Sequence, residues 1–371
     1  MATAPSPRGD LPALTGIRGI AAWFVVLYHV RLGAAWALPE PVVAMLGKGY
    51  LAVDLFFMLS GFVLWLNYAD RLRTGGIGEA ATFLARRIAR IWPLHAFMLA
   101  GAVAFVLATA AAGRPPSDHY PWGELPLHLA LMQNWGLTGA LSWNDPAWSI
   151  SCEFAAYLLF PLLALATDWR RFGTAALCGL LLVLACTLCA IMWAGDQTNL
   201  GADITRFGLP RALVEFTMGT IVCAIWTRVR EQPRALAAAL GGLALFLTAW
   251  AAGTPETLAV PLAFAALLLA VALTAASPLN PLAWRPVHYL GEISYSTYLA
   301  HFLGFIAFKL AFVSDGAHVP LPMIGLFLAM MLAASIILHH LVEKPAQRRL
   351  NRGFDHLLRA RAGRQRSPAG Q

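Results

Sequence analysis

The sequence predicts an all-α polytopic membrane protein, a single helical bundle of about ten transmembrane helices with N-in/C-in topology. Three observations predict it. Hydrophobic residues are 59% of the 371 and charged residues only 12%, where soluble chains carry roughly half apolar and about a quarter charged residues. Apolar runs recur at the length of roughly 20 residues that a helix needs to cross a bilayer. Lysine and arginine gather on alternate connections, the signature of cytoplasmic loops. The formal charge of +8 would suggest nucleic acid in a soluble chain; placed at membrane edges it is a topology signal, and no nucleic-acid partner is expected.

Taken in order, the apolar runs lie at roughly 14–35, 49–68, 88–112, 148–167, 172–194, 209–227, 235–252, 258–276, 288–313 and 322–341. The first reads as a retained helix, because Arg18 interrupts its start and no small-residue cleavage pattern precedes a soluble domain. With the N-terminus inside, the basic residues of the 71–90 connection, Arg170, Arg171, Arg228, Arg230, Arg234, Arg285 and those after 343 are internal. Arg31, Lys48, Arg114, Arg206, Arg211 and Lys309 fall on or near the outside. The segment 113–147, rich in proline and tryptophan around Leu125–Met132, suggests an amphipathic helix in the outer interface. Residues 1–345 form the transmembrane domain, and 346–371 read as a disordered basic cytoplasmic tail able to touch anionic lipid head groups. The five cysteines lie in or beside apolar runs and read as small buried residues, with no disulfide or metal framework.

Ionisable groups inside a span are costly unless paired or hydrated, so each is a functional candidate. Arg18 and His29 are eleven residues apart, three helical turns, so they share a face with His29 about 16 Å deeper. A phosphate-rich ligand held at Arg18 would deliver its far end to His29, an imidazole able to act as general base. The alternative is a snorkelling arginine and a histidine bonded to a neighbouring helix. Arg87 and Arg90, one turn apart at the inner mouth, suit a bidentate grip on phosphate oxygens or positive-inside anchoring. Asp54, in a strongly apolar context, needs a partner: it could orient a histidine, or pair with Lys48 or an arginine. Glu153 opens the fourth span, as a first-turn carboxylate or a site residue. Ser60-Gly61 favours close helix packing, His95 a packing bond or a site role, and the polar face Ser294–Tyr298 with His301 interhelical hydrogen bonding. His339, His340 and Glu343-Lys344-Pro345 read as a helix end.

These residues converge on a family. Leu14-Thr15-Gly16-Ile17-Arg18-Gly19-Ile20-Ala21-Ala22 ending Tyr28-His29 resembles the opening of the acyltransferase-3 membrane family. Asp54–Phe62, the Arg87/Arg90 pair, Trp148–Glu153 with Tyr157 and Pro161, Ile293–Ser296 with His301, and Val342-Glu343-Lys344-Pro345 look like its later signatures in the same order, so the resemblance covers about 10–345. Thr15, where an acidic or other polar residue is usual, and Cys152-Glu153-Phe154 depart from its pattern.

The resemblance implies transfer of an acyl group, usually acetyl from acetyl-CoA, to a hydroxyl of a carbohydrate or other acceptor. His29 would be catalytic, Arg18, Arg87 and Arg90 would bind the CoA donor, and Asp54 or Glu153 would orient His29 or the acceptor. No metal is needed. The expectation is a multi-pass bacterial inner-membrane O-acetyltransferase acting on a surface or exported polysaccharide or its lipid-linked precursor, among membrane lipids. The alternatives are O-acylation of a small metabolite such as a macrolide, and a transporter or flippase whose path Arg18, His29 and Asp54 would line.

Overall fold

The computed structural model describes residues 11–114, 117–277 and 279–366, with side chains described to residue 357. Every regular element among them is helical. Helix α1 (Pro12–Ala34) has its proline in the first turn, where the missing N–H is not needed, and Arg31 in the last turn, where a cation complements the helix dipole. A short α2 (Glu40–Gly47) leads into α3 (Ala52–Ala111), whose two arms meet at Gly76 with φ 56°, a left-handed conformation that glycine adopts without a Cβ clash. The 71–90 connection is therefore helical except at this break. Its arginines, leucines, glutamate and alanines are good helix formers, and Arg71 pairs with Glu79 across the break at 2.6 Å.

In the segment 117–146, α4 (Leu125–Leu129) is only five residues long where the sequence suggested a longer amphipathic helix. Leu131 and Trp143 take left-handed backbone conformations, φ 58° and 62°, which end regular helix there. The chain instead folds onto the bundle through side-chain bonds. Gln133 Nε2 donates to Ala147 O, Trp135 Nε1 to Ser151 O and Trp143 Nε1 to Pro121 O, each at 3.0 Å.

Helices α5 (Ala147–Ala166), α6 (Thr174–Trp193), α7 (Ile204–Val229), α8 (Ala235–Ala251) and α9 (Glu256–Leu273) follow. A short α10 (Arg285–Glu292) precedes α11 (Ser294–Phe312) and α12 (Leu321–Leu338). Seven helical stretches among the described residues are long and apolar enough to cross a membrane, and α8 is a shorter apolar helix. Leu182, Val183, Leu245 and Ile337 stay exposed on α6, α8 and α12, as befits helices facing hydrocarbon instead of water.

Lipid supplies no hydrophobic drive between helices, so close backbone approach has to hold them together. A Cβ at Gly61 would lie 1.9 Å from Phe216 O, and one at Gly219 1.8 Å from Met58 O, so α3 and α7 touch through reciprocal glycines. Gly291 of α10 abuts Thr15 O of α1 in the same way. Where the sequence suggested a disordered tail from 346, the chain forms α13 (Lys344–Arg366) beyond a wide π-turn at His339–Glu343. Pro345 falls in the first turn of this helix, a position that tolerates proline, and Asp355 pairs with Arg86 at 2.6 Å. Residues 367–371 lie outside the described residues.

Candidate active site

Helices α1, α3, α5 and α11 converge on a cavity of about 140 Å³. Its wall carries Arg18 from α1, Ser60, Arg87 and Arg90 from the two arms of α3, Glu153 and Tyr157 from α5, and Tyr295 and Tyr298 from α11. A wider opening of about 260 Å³ lies at the N-terminal end of α1, lined by Thr15, His288, Glu292, His339 and Lys344. Arg18 and Arg90 line both spaces. The three arginines expected to share a task are thus brought to one place from two helices.

Each arginine is held differently. The Arg18 guanidinium makes no hydrogen bond to another described residue, and the charges that act on it belong to Arg90, Glu153 and Glu343. Arg87 donates to the Tyr68 hydroxyl at 3.2 Å and lies 5.3 Å from that ring's centre, while its buried Nε has no hydrogen-bond partner among the described residues. Arg90 pairs with Glu343 and lies 5.5 Å from the centre of the Tyr295 ring. Glu343 also accepts from Ser296 at 2.7 Å and contacts His339 Nδ1 at 3.1 Å. A buried donor without an acceptor costs free energy until something accepts from it. The orphaned Arg87 Nε and the unbonded Arg18 therefore fit an anionic, oxygen-rich ligand.

Glu153 stands in this cavity and accepts from Ser60 Oγ at 2.7 Å and from the Tyr157 hydroxyl. It faces the arginines and makes no hydrogen bond with His29. Asp54 is not brought to His29 either. It lies fully buried, and both its oxygens accept from Arg211, the second at 2.6 Å. Of the alternatives open for Asp54, pairing with an arginine is the one found, and the partner is a residue whose sequence position suggested the outer surface. Arg211 also donates to Leu200 O.

His29 sits beyond the cavity, toward the other end of α1. Its Nδ1 is 3.0 Å from Val25 O and 3.1 Å from His301 Nε2, and His301 Nδ1 is 2.6 Å from Tyr298 O. Tyr298 lines the cavity and shares a 2.8 Å hydrogen bond with Ser149. His29 thus connects to the cavity through His301 and Tyr298. The Phe302 ring is 5.4 Å from His29 and 6.4 Å from His119. His119 Nε2 lies 3.1 Å from Asp145, a pairing that raises its pKa above the ordinary histidine value.

His95 Nε2 contacts His128 O at 2.8 Å and so fastens the segment 117–146 to α3, a packing role. Glu343, read from the sequence as part of a helix end, and His301, read as a packing residue, belong to the site. Their only sequence signal was membership of the motif strings quoted above. Among the described residues, no cluster of three or more His, Cys, Asp or Glu side chains could hold a metal ion, and all five cysteines are free.

The model of a family described as "Acyltransferase domain" matches residues 11–340. Acyltransferase MdmB of Streptomyces mycarofaciens is 30% identical over 370 residues, covering 92% of this chain and 93% of that protein. YrhL of Bacillus subtilis (strain 168), named as a candidate peptidoglycan O-acetyltransferase, is 24% identical over 79% of this chain and 48% of its own length. O-acetyltransferase OatA of Staphylococcus aureus (strain NCTC 8325 / PS 47) is 23% identical over 95% of this chain and 59% of its own length. The chain thus spans about half the length of these last two relatives. No solved structure is significantly similar.

Proposed function

The chain belongs to the acyltransferase-3 family, and from that premise we propose that it is a multi-pass O-acyltransferase of the bacterial inner membrane. In this reading it moves an acyl group, acetyl in the first instance, from acyl-CoA to a hydroxyl of a surface or exported polysaccharide or its lipid-linked precursor. The observation that carries it is the shared position of Arg18 and Arg90 between the opening at the N-terminal end of α1 and the interior cavity, with Arg87 beside them. With the N-terminus cytoplasmic, as the charge bias indicates, the nucleotide phosphates of the donor would lie at the mouth. There Lys344 adds a further cation to the wall, beside Glu292. The pantetheine arm would run between Arg18 and Arg90 toward Tyr298 and His29. The acceptor would approach from the opposite face, past Phe302.

His29 supplies the lone pair. As base, its Nε2 takes the acceptor hydroxyl proton while the oxygen attacks the thioester carbon. The C–S bond then breaks, and the leaving thiolate takes that proton, so that ester and free thiol are formed and His29 returns neutral. Such positioned proton transfer contributes about 10²- to 10⁴-fold. The same nitrogen would carry the acyl group in a two-step route, and trapping an acyl-enzyme after rapid quench distinguishes the two. The name of YrhL supports a glycan acceptor, and that of OatA supports O-acetyl transfer. MdmB, matched along nearly its whole length, is named only as an acyltransferase, which leaves a small hydroxylated metabolite such as a macrolide as the second reading.

The test is mass spectrometry of surface polysaccharide from cells with and without the gene, complemented by wild type or by His29→Ala. An acetyl mass increment seen only with wild type is expected. Its absence from every glycan, with acetyl-CoA-dependent product formed on a macrolide, would replace the glycan by the small metabolite. No acyl-CoA-dependent product from any acceptor would overturn the enzyme reading in favour of transport.

A further inference from the structure

Resting on the assignment of His29 as the reacting histidine, we propose that His301 is its positioning residue: a neutral imidazole that fixes the His29 tautomer and points its Nε2 lone pair at the acceptor. The proton positions follow from which atoms can only accept. A backbone carbonyl has no hydrogen to give. Tyr298 O lies 2.6 Å from His301 Nδ1, so that nitrogen carries the proton and the neutral ring presents a lone pair at Nε2. Val25 O lies 3.0 Å from His29 Nδ1, and the His301 Nε2 lone pair lies 3.1 Å from the same atom. His29 Nδ1 therefore faces two acceptors and carries the hydrogen, shared between them. The proton of neutral His29 is then used, and its Nε2 is unprotonated.

Reversing both tautomers would set lone pair against lone pair at Tyr298 O and again at Val25 O. The hydrogen bonds thus run one way, from His29 to His301 to the Tyr298 carbonyl.

This arrangement does the work of the carboxylate in a hydrolase triad, which holds its histidine in one tautomer and orientation. It does so without an ion. His301 is fully buried on α11, and the carboxylates that might have served, Asp54, Glu153 and Asp145, are committed to Arg211, to Ser60 and Tyr157, and to His119. A neutral acceptor avoids the cost of holding an unpaired anion in the membrane interior. It also stabilises an imidazolium less than a carboxylate would, which favours rapid return of the proton to the departing thiolate.

The experiment uses membranes bearing the full-length chain, [14C]acetyl-CoA as donor and polysaccharide extracted from the host as acceptor. His301→Leu should lower the rate at saturating acetyl-CoA by about 100-fold and leave the KM for acetyl-CoA within about twofold. His301→Gln, whose Oε1 can stand near the lost Nε2 and accept from His29, should recover to within about tenfold of wild type. A merely structural role would move donor KM and rate together and would give glutamine no advantage over leucine.

An active His301→Leu beside an inactive His29→Ala would overturn the proposal alone. An active His29→Ala would overturn the underlying assignment. Should His301→Leu fail to fold, ¹⁵N spectra of histidine-labelled wild type, with His29 identified by its loss in His29→Gln, decide the matter. A protonated His29 Nε2 would overturn the proposal, and an unprotonated one supports it.

Discussion

Replacing Asp54 or Arg211 tests whether this intramembrane carboxylate has any part in the chemistry. Arg211 is the single cation facing two buried carboxyl groups, Asp54, which it binds through Nε and Nη2, and Glu215, whose charge also acts on it. Removing one partner of a buried ion pair costs about 3–5 kcal/mol, because the other charge is left uncompensated. Arg211→Met leaves both carboxyls without a cation and Leu200 O without its donor, so the upper end, about 5 kcal/mol, is expected. Asp54→Asn keeps the shape and leaves Glu215 as a counter-ion for Arg211, so about 2–3 kcal/mol is expected. At about 2 °C per kcal/mol for a chain of this size, the melting temperatures should fall by about 10 °C and about 5 °C. The paired replacement Asp54→Leu/Arg211→Met removes the ion pair and leaves Glu215 as a lone buried carboxyl able to hold its proton, so stability should return to within about 2 kcal/mol of wild type.

The assay is fluorescence-detected gel filtration of detergent-solubilised protein after stepwise heating, with acetyl transfer per folded molecule measured on the same samples. If Asp54 only holds α3 to α7, the paired variant transfers acetyl groups within about threefold of the wild-type rate. A paired variant that is stable and inactive would refute the structural assignment and return Asp54 to the reaction. Equal losses in the two single variants would refute the role given to Glu215.

Glu153→Gln removes an anion from a cavity faced by three arginines and should lower the KM for acetyl-CoA by about threefold; a rise measured in initial-rate kinetics would mean that the carboxylate itself contacts the donor. Gly219→Ala drives a methyl group against Met58 O, 1.8 Å away, and should cost about 1–3 kcal/mol or more in thermal stability. Gly325→Ala meets nothing within 4 Å and should be neutral or mildly stabilising in the same melt.

The His119–Asp145 pair makes the segment 117–146 pH-sensitive. Because the folded-state pKa of His119 lies above its ordinary 6.5, its contribution is fully present below that pH and is lost as pH rises through the folded value. Protease cleavage within 117–146 should accelerate across that window in wild type and not in Asp145→Asn; identical profiles would remove this pair as the cause.

The amino-acid sequence by itself determined the class of fold and brought forward Arg18, His29, Arg87 and Arg90 as candidates. Run length and polarity dictate membrane-spanning helices, because an unpaired backbone in hydrocarbon leaves no other structure available. The three-turn spacing of Arg18 and His29, and the one-turn spacing of Arg87 and Arg90, put each pair on one face by local geometry alone.

Only the tertiary structure decided who partners whom. Asp54 meets Arg211 across 157 residues, Arg90 meets Glu343 across 253, and His29 meets His301 across 272. Helical periodicity says which face a side chain occupies, but not which neighbouring helix lies against that face or at what height. Those depend on glycine contacts such as Gly61 with Phe216 and Gly219 with Met58, which bring the helices close enough for their buried polar groups to meet. Asp54 reads as a catalytic candidate because an unpaired and a paired carboxylate look alike in a single helix, and Glu343 reads as a helix end because its partners Arg90 and Ser296 lie on other helices.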